Sequence, residues 1–154
     1  MKKYVPFVLL VLFLGIVTFA AYPEKTLNAQ YIPTAPQVKT LIASSGNQAA
    51  STCNATLPAS TTGATNFLTG FTVTSLGATA ATTVQVTITG TGSATTPTWV
   101  YPVAAGVTTA NATLTVTFPH PIPASANNTA ITVTMPTLGS GNTNAAIVAY
   151  GFQQ

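Results

Sequence analysis

The chain has 154 residues, of which 47 % are hydrophobic and 3 % are charged, and its formal net charge is +3. This composition excludes a disordered chain, which needs low hydrophobicity and high charge. The four basic residues all lie at or before Lys39, so the charge describes the start of the chain and does not indicate a nucleic-acid partner. From Thr40 to Gln154 there is no Asp, Glu, Lys or Arg. Acid–base catalysis, metal binding and phosphate binding therefore lack most of the side chains they use, and we predict no enzyme, no metal and no cofactor.

An apolar run from Val5 to Ala21 follows Lys2 and Lys3. A basic start, an apolar centre and small residues at the end are typical of a secretory signal peptide. The length is also within the range of a membrane anchor, so both alternatives stay open. Either one predicts a hydrophobic helix at residues 1–22, with the remainder of the chain outside the membrane; if the segment is not cleaved, residues 5–21 contact the membrane.

Residues 23–37 are the next predicted segment. Pro23, Pro33 and Pro36 stand among polar residues without a sustained period, which is typical of a tether. The pattern changes after it. We therefore predict a leader or anchor at 1–22, a tether at 23–37 and one domain at 38–154.

From Val38 onwards apolar residues recur at every second position, which predicts strands with one buried face and one solvent face. The clearest strands are predicted at Phe67–Ser75, Thr82–Thr89, Ala112–Phe118 and Thr129–Met135. Weaker ones are predicted at Val38–Ala43, Ser51–Leu57, Thr98–Val103 and Asn144–Phe152. In the first of the clear strands, we expect Phe67, Phe71 and Val73 to share one face.

Clusters of Gly, Pro, Asn and Ser separate these strands. The breaks are predicted at Gly90–Pro97, Ala104–Thr109, Pro119–Asn128 and Pro136–Thr143. Eight short strands at regular spacing predict an all-β, eight-stranded antiparallel sandwich that is jelly-roll-like, preceded by the N-terminal hydrophobic helix.

The domain has one histidine and one cysteine, His120 and Cys53. His120 stands between Pro119 and Pro121, which predicts an extended loop residue. A catalytic histidine needs a carboxylate or nucleophile beside it, and a Cys53–His120 pair would have no third group to orient it. We expect Cys53 to be either a small buried hydrophobe or one half of a disulfide between copies.

Asn54, Asn111 and Asn127 each begin an Asn-x-Ser/Thr sequon and are the candidate glycosylation sites of an exported chain. A sugar there would make an uncharged surface more soluble.

Two further patterns have a functional and a structural interpretation. Thr-x-Thr pairs could form hydroxyl ladders of the kind that bind ice or carbohydrate, or they could simply occupy the solvent face of strands, which β-branched residues favour. The pairs are Thr72/Thr74, Thr87/Thr89, Thr113/Thr115/Thr117 and Thr132/Thr134. Similarly, Trp99, Tyr101 and Tyr150 could stack on a sugar ring or pack in the core.

The ending Leu138–Phe152, with Pro121–Ile131 before it, resembles small β-sandwich proteins encoded by phages and prophages. Phe67–Phe71 and Gly77–Ala81 are similar too. The resemblance spans Leu41–Gln154 and implies a non-enzymatic virion or surface component, with no functional residue carried over. The hydrophobic N-terminal segment departs from that pattern and points to an exported or membrane-associated form.

We therefore predict a structural protein displayed outside a membrane, in a virion or on a surface. Its expected partners are copies of itself and other virion or surface proteins, because an uncharged surface lacks the repulsion that keeps proteins apart. One alternative is a subunit of an extracellular filament or pilus, joined by donor-strand insertion of the tether. Another is a secreted glycan-binding or ice-binding module.

Overall fold

The computed structural model describes residues 38–78, 80–106, 108–139 and 141–154. These residues form eight strands and no helix. The strands are β1 (Lys39–Ser44), β2 (Cys53–Leu57), β3 (Asn66–Leu76), β4 (Thr82–Thr89), β5 (Thr98–Val103), β6 (Leu114–Pro123), β7 (Ile131–Met135) and β8 (Asn144–Gln153). The expected all-β sandwich is confirmed. The predicted helix at residues 1–22 and the tether at 23–37 lie outside the described residues.

The strands build two four-stranded sheets in which every neighbouring pair is antiparallel. Sheet A has the order β1-β8-β3-β6, and sheet B has the order β2-β7-β4-β5. The pairing is nested: β1 lies beside β8, β2 beside β7, β3 beside β6 and β4 beside β5. The chain therefore winds back on itself as one long folded ribbon, and its first and last strands are neighbours.

The core lies between the two sheets, because burial alternates along the strands. In β2 the order is buried, exposed, buried, exposed, buried, and in β7 buried side chains alternate with half-buried ones. The inward residues are apolar and the outward ones are mostly Thr or Asn, as the two-residue period requires. The largest fully buried side chains include Tyr101, Phe71, Leu57, Leu68 and Ile131.

A bulge at Thr69 overturns one predicted face. β3 advances from Leu68 to Gly70 while its partner β8 moves by a single residue, from Gly151 to Tyr150. The extra residue reverses the alternation. Phe71 and Val73 are fully buried as predicted, but Phe67 points outward and is half-buried.

The predicted end of the sixth strand is also wrong. Pro119–Asn128 was expected to be a loop, yet β6 continues to Pro123. The register with β3 leaves four residues, Phe118 to Pro121, opposite Thr69 alone. Proline is tolerated here because β6 is the edge of sheet A, where one side of the strand needs no N–H donors.

At Gly151 of β8 the two sheets pack closely. A Cβ atom at this position would lie 2.3 Å from the backbone oxygen of Phe67 and 2.6 Å from Cδ1 of Leu57. Leu57 belongs to β2 in the opposite sheet and is fully buried. Leu57 therefore occupies the space that a side chain at position 151 would need.

We expect Gly151→Ala to lower the free energy of unfolding by about 1–3 kcal/mol, because the new methyl group overpacks a contact bounded by backbone. Gly92→Ala is the matched control, since its added Cβ would have only ordinary contacts, the nearest at 3.8 Å. Its effect should stay within about 0.5 kcal/mol. Denaturant unfolding measures both; equal stabilities would show that the sheets are not in contact at Gly151.

Candidate interaction surface

The side chains of the described domain supply almost no charge. Lys39 and, when protonated, His120 are its only cationic side chains, and no carboxylate side chain is present from Thr40 onwards. Among the described residues there is no group of three or more His, Cys, Asp or Glu that could hold a metal ion. Apart from Lys39 and His120, the side chains at this surface offer hydroxyl, amide, aromatic and aliphatic groups.

Cys53 and His120 are not brought together. Cys53 is fully buried in β2, an edge strand of sheet B, and its thiol is free. His120 is exposed in the bulged part of β6, at the edge of sheet A that packs near β5. β2 packs near β1 and β8, at the other side of the sandwich. Of the two interpretations of Cys53, the buried small hydrophobe fits this position.

Two neutral groups of the core resist ionisation. Burial raises the pKa of the Cys53 thiol, and a hydrogen bond with Ser45 partly offsets this. Burial also raises the pKa of Tyr101, again partly offset by its hydrogen bond with Ser75. Both groups are therefore held in their neutral form, which is the opposite of what a nucleophile needs.

The three aromatic candidates have different positions. Tyr101 is 1 % exposed, and its hydroxyl lies 2.9 Å from Oγ of Ser75. Trp99 is half-buried against Phe71 and Phe118, with ring centroids 5.1 and 5.7 Å away. Tyr150 is 39 % exposed on the outer face of sheet A. Of the three rings, Tyr150 is the most exposed.

Tyr150 belongs to an apolar face on the outside of sheet A. Its cross-strand neighbour Ile42 is 70 % exposed. Two residues further along β8, Phe152 stacks on Phe67 of β3 with ring centroids 5.0 Å apart and planes inclined by 12°. We call Ile42, Phe67, Val148, Tyr150 and Phe152 the apolar face. Ile42 and Tyr150 are exposed, and the other three are half-buried. Apolar patches at a protein surface mark interaction sites.

The outside of sheet B is different. Its outward residues form two rows that cross the sheet in register, Asn54–Thr134–Thr87–Thr98 and Thr56–Thr132–Thr89. Oγ1 of Thr134 donates to Oδ1 of Asn54 at 2.8 Å, and the hydroxyls of Thr56 and Thr132 are 3.0 Å apart. Thr87/Thr89 and Thr132/Thr134 thus form one ladder, which we call the threonine face. In sheet A only Thr72 and Thr115 are paired in this way.

The sequons are placed unequally. Asn54 and Asn127 are exposed, whereas Asn111 is half-buried and both ends of its amide are used. Nδ2 of Asn111 donates to Oγ of Ser75 at 2.8 Å, and its Oδ1 accepts from the Ala104 N–H at 2.7 Å. A glycan attaches to the amide nitrogen, so a sugar on Asn111 would break this network. The structure thus leaves Asn54 and Asn127 as the accessible sequons.

An open cleft of about 320 Å³ lies at one end of sheet A. Asn47, Thr74, Leu76, Asn144 and Ala146 are among the residues that line it. Nδ2 of Asn47 donates to Oδ1 of Asn144 at 2.6 Å, so the two amides bind each other. The cleft offers uncharged polar groups and no catalytic ones.

No helix of the described residues is both long and apolar enough to span a bilayer. The predicted leader or anchor at 1–22, including the apolar run at residues 5–21, is not among those residues.

Sequence reasoning missed most of the apolar face. The consecutive apolar residues Leu41 and Ile42 were a signal, because two neighbours on a strand face opposite ways and one of them must be exposed. Phe67 could not be assigned without the bulge at Thr69. The Phe67–Phe152 stack depends on the pairing of β3 with β8, which are far apart in sequence.

We expect Asn111→Ala to cost about 1–3 kcal/mol of stability, because it removes two hydrogen bonds, one to the buried hydroxyl of Ser75 and one from the Ala104 N–H. Asn127→Ala is the matched control: its Oδ1 also accepts a hydrogen bond, from Thr65 Oγ1 at 2.6 Å, but at an exposed site. The control should change stability by less than about 0.5 kcal/mol. Thermal or denaturant unfolding compares them, and a similar loss in both variants would contradict a structural role specific to Asn111.

Stability should decline in alkaline solution. The folded state raises the pKa of Cys53 and Tyr101 above their unfolded values, so their contribution is complete below the unfolded pKa values, about 8.5 and 10. It is lost as the pH rises through the folded pKa values. Unfolding free energies measured from pH 7 to 11 should fall above about pH 8.5 and fall less in the double variant Cys53→Ala/Tyr101→Phe. Parallel curves for the two proteins would contradict this assignment.

Comparison of the chain with protein-family models, with curated proteins and with solved structures gives no match.

Proposed function

We propose that this protein is a non-catalytic structural component of a virion or surface assembly, displayed outside a membrane and associating with copies of itself. The observation that carries the proposal is the combination of nested strand pairing with a folded surface almost without charge. The strand pairing supports a jelly-roll fold, and the nearly uncharged surface supports association between copies.

The strand order supports a jelly roll. A jelly roll has eight strands in two sheets and arises from a long antiparallel ribbon folded over itself. The nested neighbours β1/β8, β2/β7, β3/β6 and β4/β5 fit this connectivity. Viral capsid proteins, lectins and cupins use this architecture, so the link from fold to structural role is one of analogy.

The side chains argue against one of these three classes, the metal-binding cupins. Cupin-type metal chemistry needs clustered histidines and carboxylates, and the domain has one histidine, which lies on an edge strand. The free thiol is buried. A role in holding other molecules needs none of these groups, and it is supported by what the surface does offer.

Self-association is supported by the apolar face. Ile42 and Tyr150 are exposed side by side, next to the stacked Phe67 and Phe152 rings. Aromatic residues are enriched at protein interfaces, while charged residues are depleted from interface cores. The surrounding surface has no like charges to keep copies apart.

A glycan-binding role is the second candidate. Tyr150 is an exposed aromatic ring on the apolar face, and Asn47 and Asn144, whose amides bind each other, line a cleft at one end of the same sheet. Sugars bind through aromatic stacking and neutral hydrogen-bonding groups, and lectins are among the proteins that use this architecture. In a glycan-binding module Tyr150→Ala would abolish binding to a glycan array, whereas Thr56→Ala on the threonine face would leave it unchanged.

The filament alternative gains less support. Donor-strand insertion fills a place that a strand has left empty, and here the first and last strands of the described domain already pair with each other. Strand addition at an open sheet edge stays compatible with this arrangement.

The proposal predicts that the full-length chain, in non-ionic detergent, sediments as an oligomer whose mass rises with protein concentration. In the native source, quantitative mass spectrometry should find it enriched in purified particles or in the surface fraction over the cytosolic fraction. A monomer at every concentration would contradict self-association, and enrichment in the cytosol would contradict display. The same spectra report cleavage of the leader and sugar on Asn54 or Asn127.

A further inference from the structure

We propose that two copies of the chain join through β1, side by side and antiparallel, about a twofold axis at Ile42, so that sheet A continues from one copy into the other. This inference rests on the self-association in the proposed function and names its interface. Three features support it: the free backbone groups of β1, the prolines at the other sheet edges and the position of Lys39.

β1 presents its free backbone groups at alternate residues. Ser45 N–H donates to the Ile147 oxygen directly opposite it, so in this ladder the odd-numbered residues of β1 bond to β8. The N–H and C=O groups of Thr40, Ile42 and Ser44 therefore point away from β8. Within the described residues, no strand lies on that side of β1.

The other edges are less able to accept a strand. β6 contains Pro119, Pro121 and Pro123 and is bulged. Just before β5, Pro97 accepts a bond from Ile88 N–H of β4, so the backbone groups of Thr98, Val100 and Pro102 point away from β4 toward the free edge. Pro102 has no N–H, so this edge lacks one donor. β2 is five residues long and is followed by Pro58. Prolines and short strands are the usual protection of an edge, and β1 has no proline.

The outward residues of β1 complement themselves. They are symmetric about Ile42, so a second copy placed antiparallel puts Ile42 opposite Ile42 of the partner subunit and Thr40 opposite Ser44 of the partner subunit. Directly opposed residues of this kind exchange both of their backbone hydrogen bonds. A twofold interface needs such a self-complementary surface.

The same register avoids charge repulsion. Lys39, the one charged side chain of β1, would lie opposite Ser45 of the partner subunit and not opposite a second lysine. Ile42, which is 70 % exposed in the single chain, would meet Ile42 of the partner subunit on the outer face. The two apolar faces would then form one continuous surface across the joined sheets.

Cysteine cross-linking of the full-length chain tests this pairing. Ile42→Cys places a thiol on the twofold axis, where opposed residues in a sheet are about 5.5 Å apart between Cα atoms, within disulfide range. Val100→Cys is the matched control, because Val100 is 61 % exposed at an outward position of edge strand β5. Cys53 is buried and should not react in either variant.

We expect mild oxidation to convert Ile42→Cys to a disulfide-linked dimer at least about tenfold faster than Val100→Cys. A tenfold difference corresponds to about 1.4 kcal/mol of preferential association through β1. Adding Thr40→Pro removes one outward N–H without touching the β1–β8 bonds, and it should slow cross-linking at position 42 severalfold. Circular dichroism of this variant checks that the domain stays folded.

Fast cross-linking at Val100→Cys with none at Ile42→Cys would overturn β1 pairing and leave self-association standing. Slow cross-linking at both positions would also overturn it, and sedimentation of the unmodified chain then shows separately whether the copies associate at all. Cross-linking at Ile42→Cys that Thr40→Pro does not slow, in a folded variant, would overturn the backbone pairing.

Discussion

The rest of the structure depends on the pairing of β8 with its two neighbours, β1 and β3. β8 is the last strand of the chain, and it pairs along its length with strands from the first half of the domain. Gly151 on this strand admits Leu57 from the opposite sheet, and Tyr150 and Phe152 next to it supply two aromatic rings of the apolar face. The same strand therefore joins sheet A, contacts sheet B and forms much of the candidate surface.

A domain with no Asp, Glu or Arg and with one lysine must satisfy most of its polar atoms with neutral partners. Amides and hydroxyls make most of these bonds, and among the described residues Oδ1 of Asn66 and Oδ1 of Asn142 are the buried side-chain atoms left without a partner. Nδ2 of Asn66, which is 1 % exposed, donates to the backbone oxygens of Pro58 and Thr129 at 2.9 and 2.8 Å. Asn111 connects Ser75 and Ala104 in the same manner. Because these bonds are neutral, salt and moderate changes of pH should affect them little.

The two outer faces of the sandwich differ in their side chains. The threonine face is uncharged and presents hydroxyls, of which Thr56 pairs with Thr132 and Thr134 donates to Asn54. The apolar face is continuous with β1, an edge strand that contains no proline. An exposed edge and an exposed apolar patch each favour association, and here they adjoin. This is the physical basis for proposing a protein that holds other copies and does not transform a substrate.

The sequence by itself determined the fold class, because a two-residue apolar period broken by Gly, Pro and Asn permits strands and little else. It located β4 and β5 to the residue and most of the others to within one or two. It also limited the chemistry, since residues that are absent from a chain cannot be supplied by folding. Which strands are neighbours was decided only in the tertiary structure: pairing is a long-range property, and nothing in a Thr-Val alternation specifies its partner. The bulge at Thr69 and the edge position of β6 follow from that pairing. Because of the bulge, Phe67 points outward and stacks on Phe152. Because β6 is an edge strand, the proline segment around His120 can belong to it. In both places the register and the edge position override the local sequence pattern.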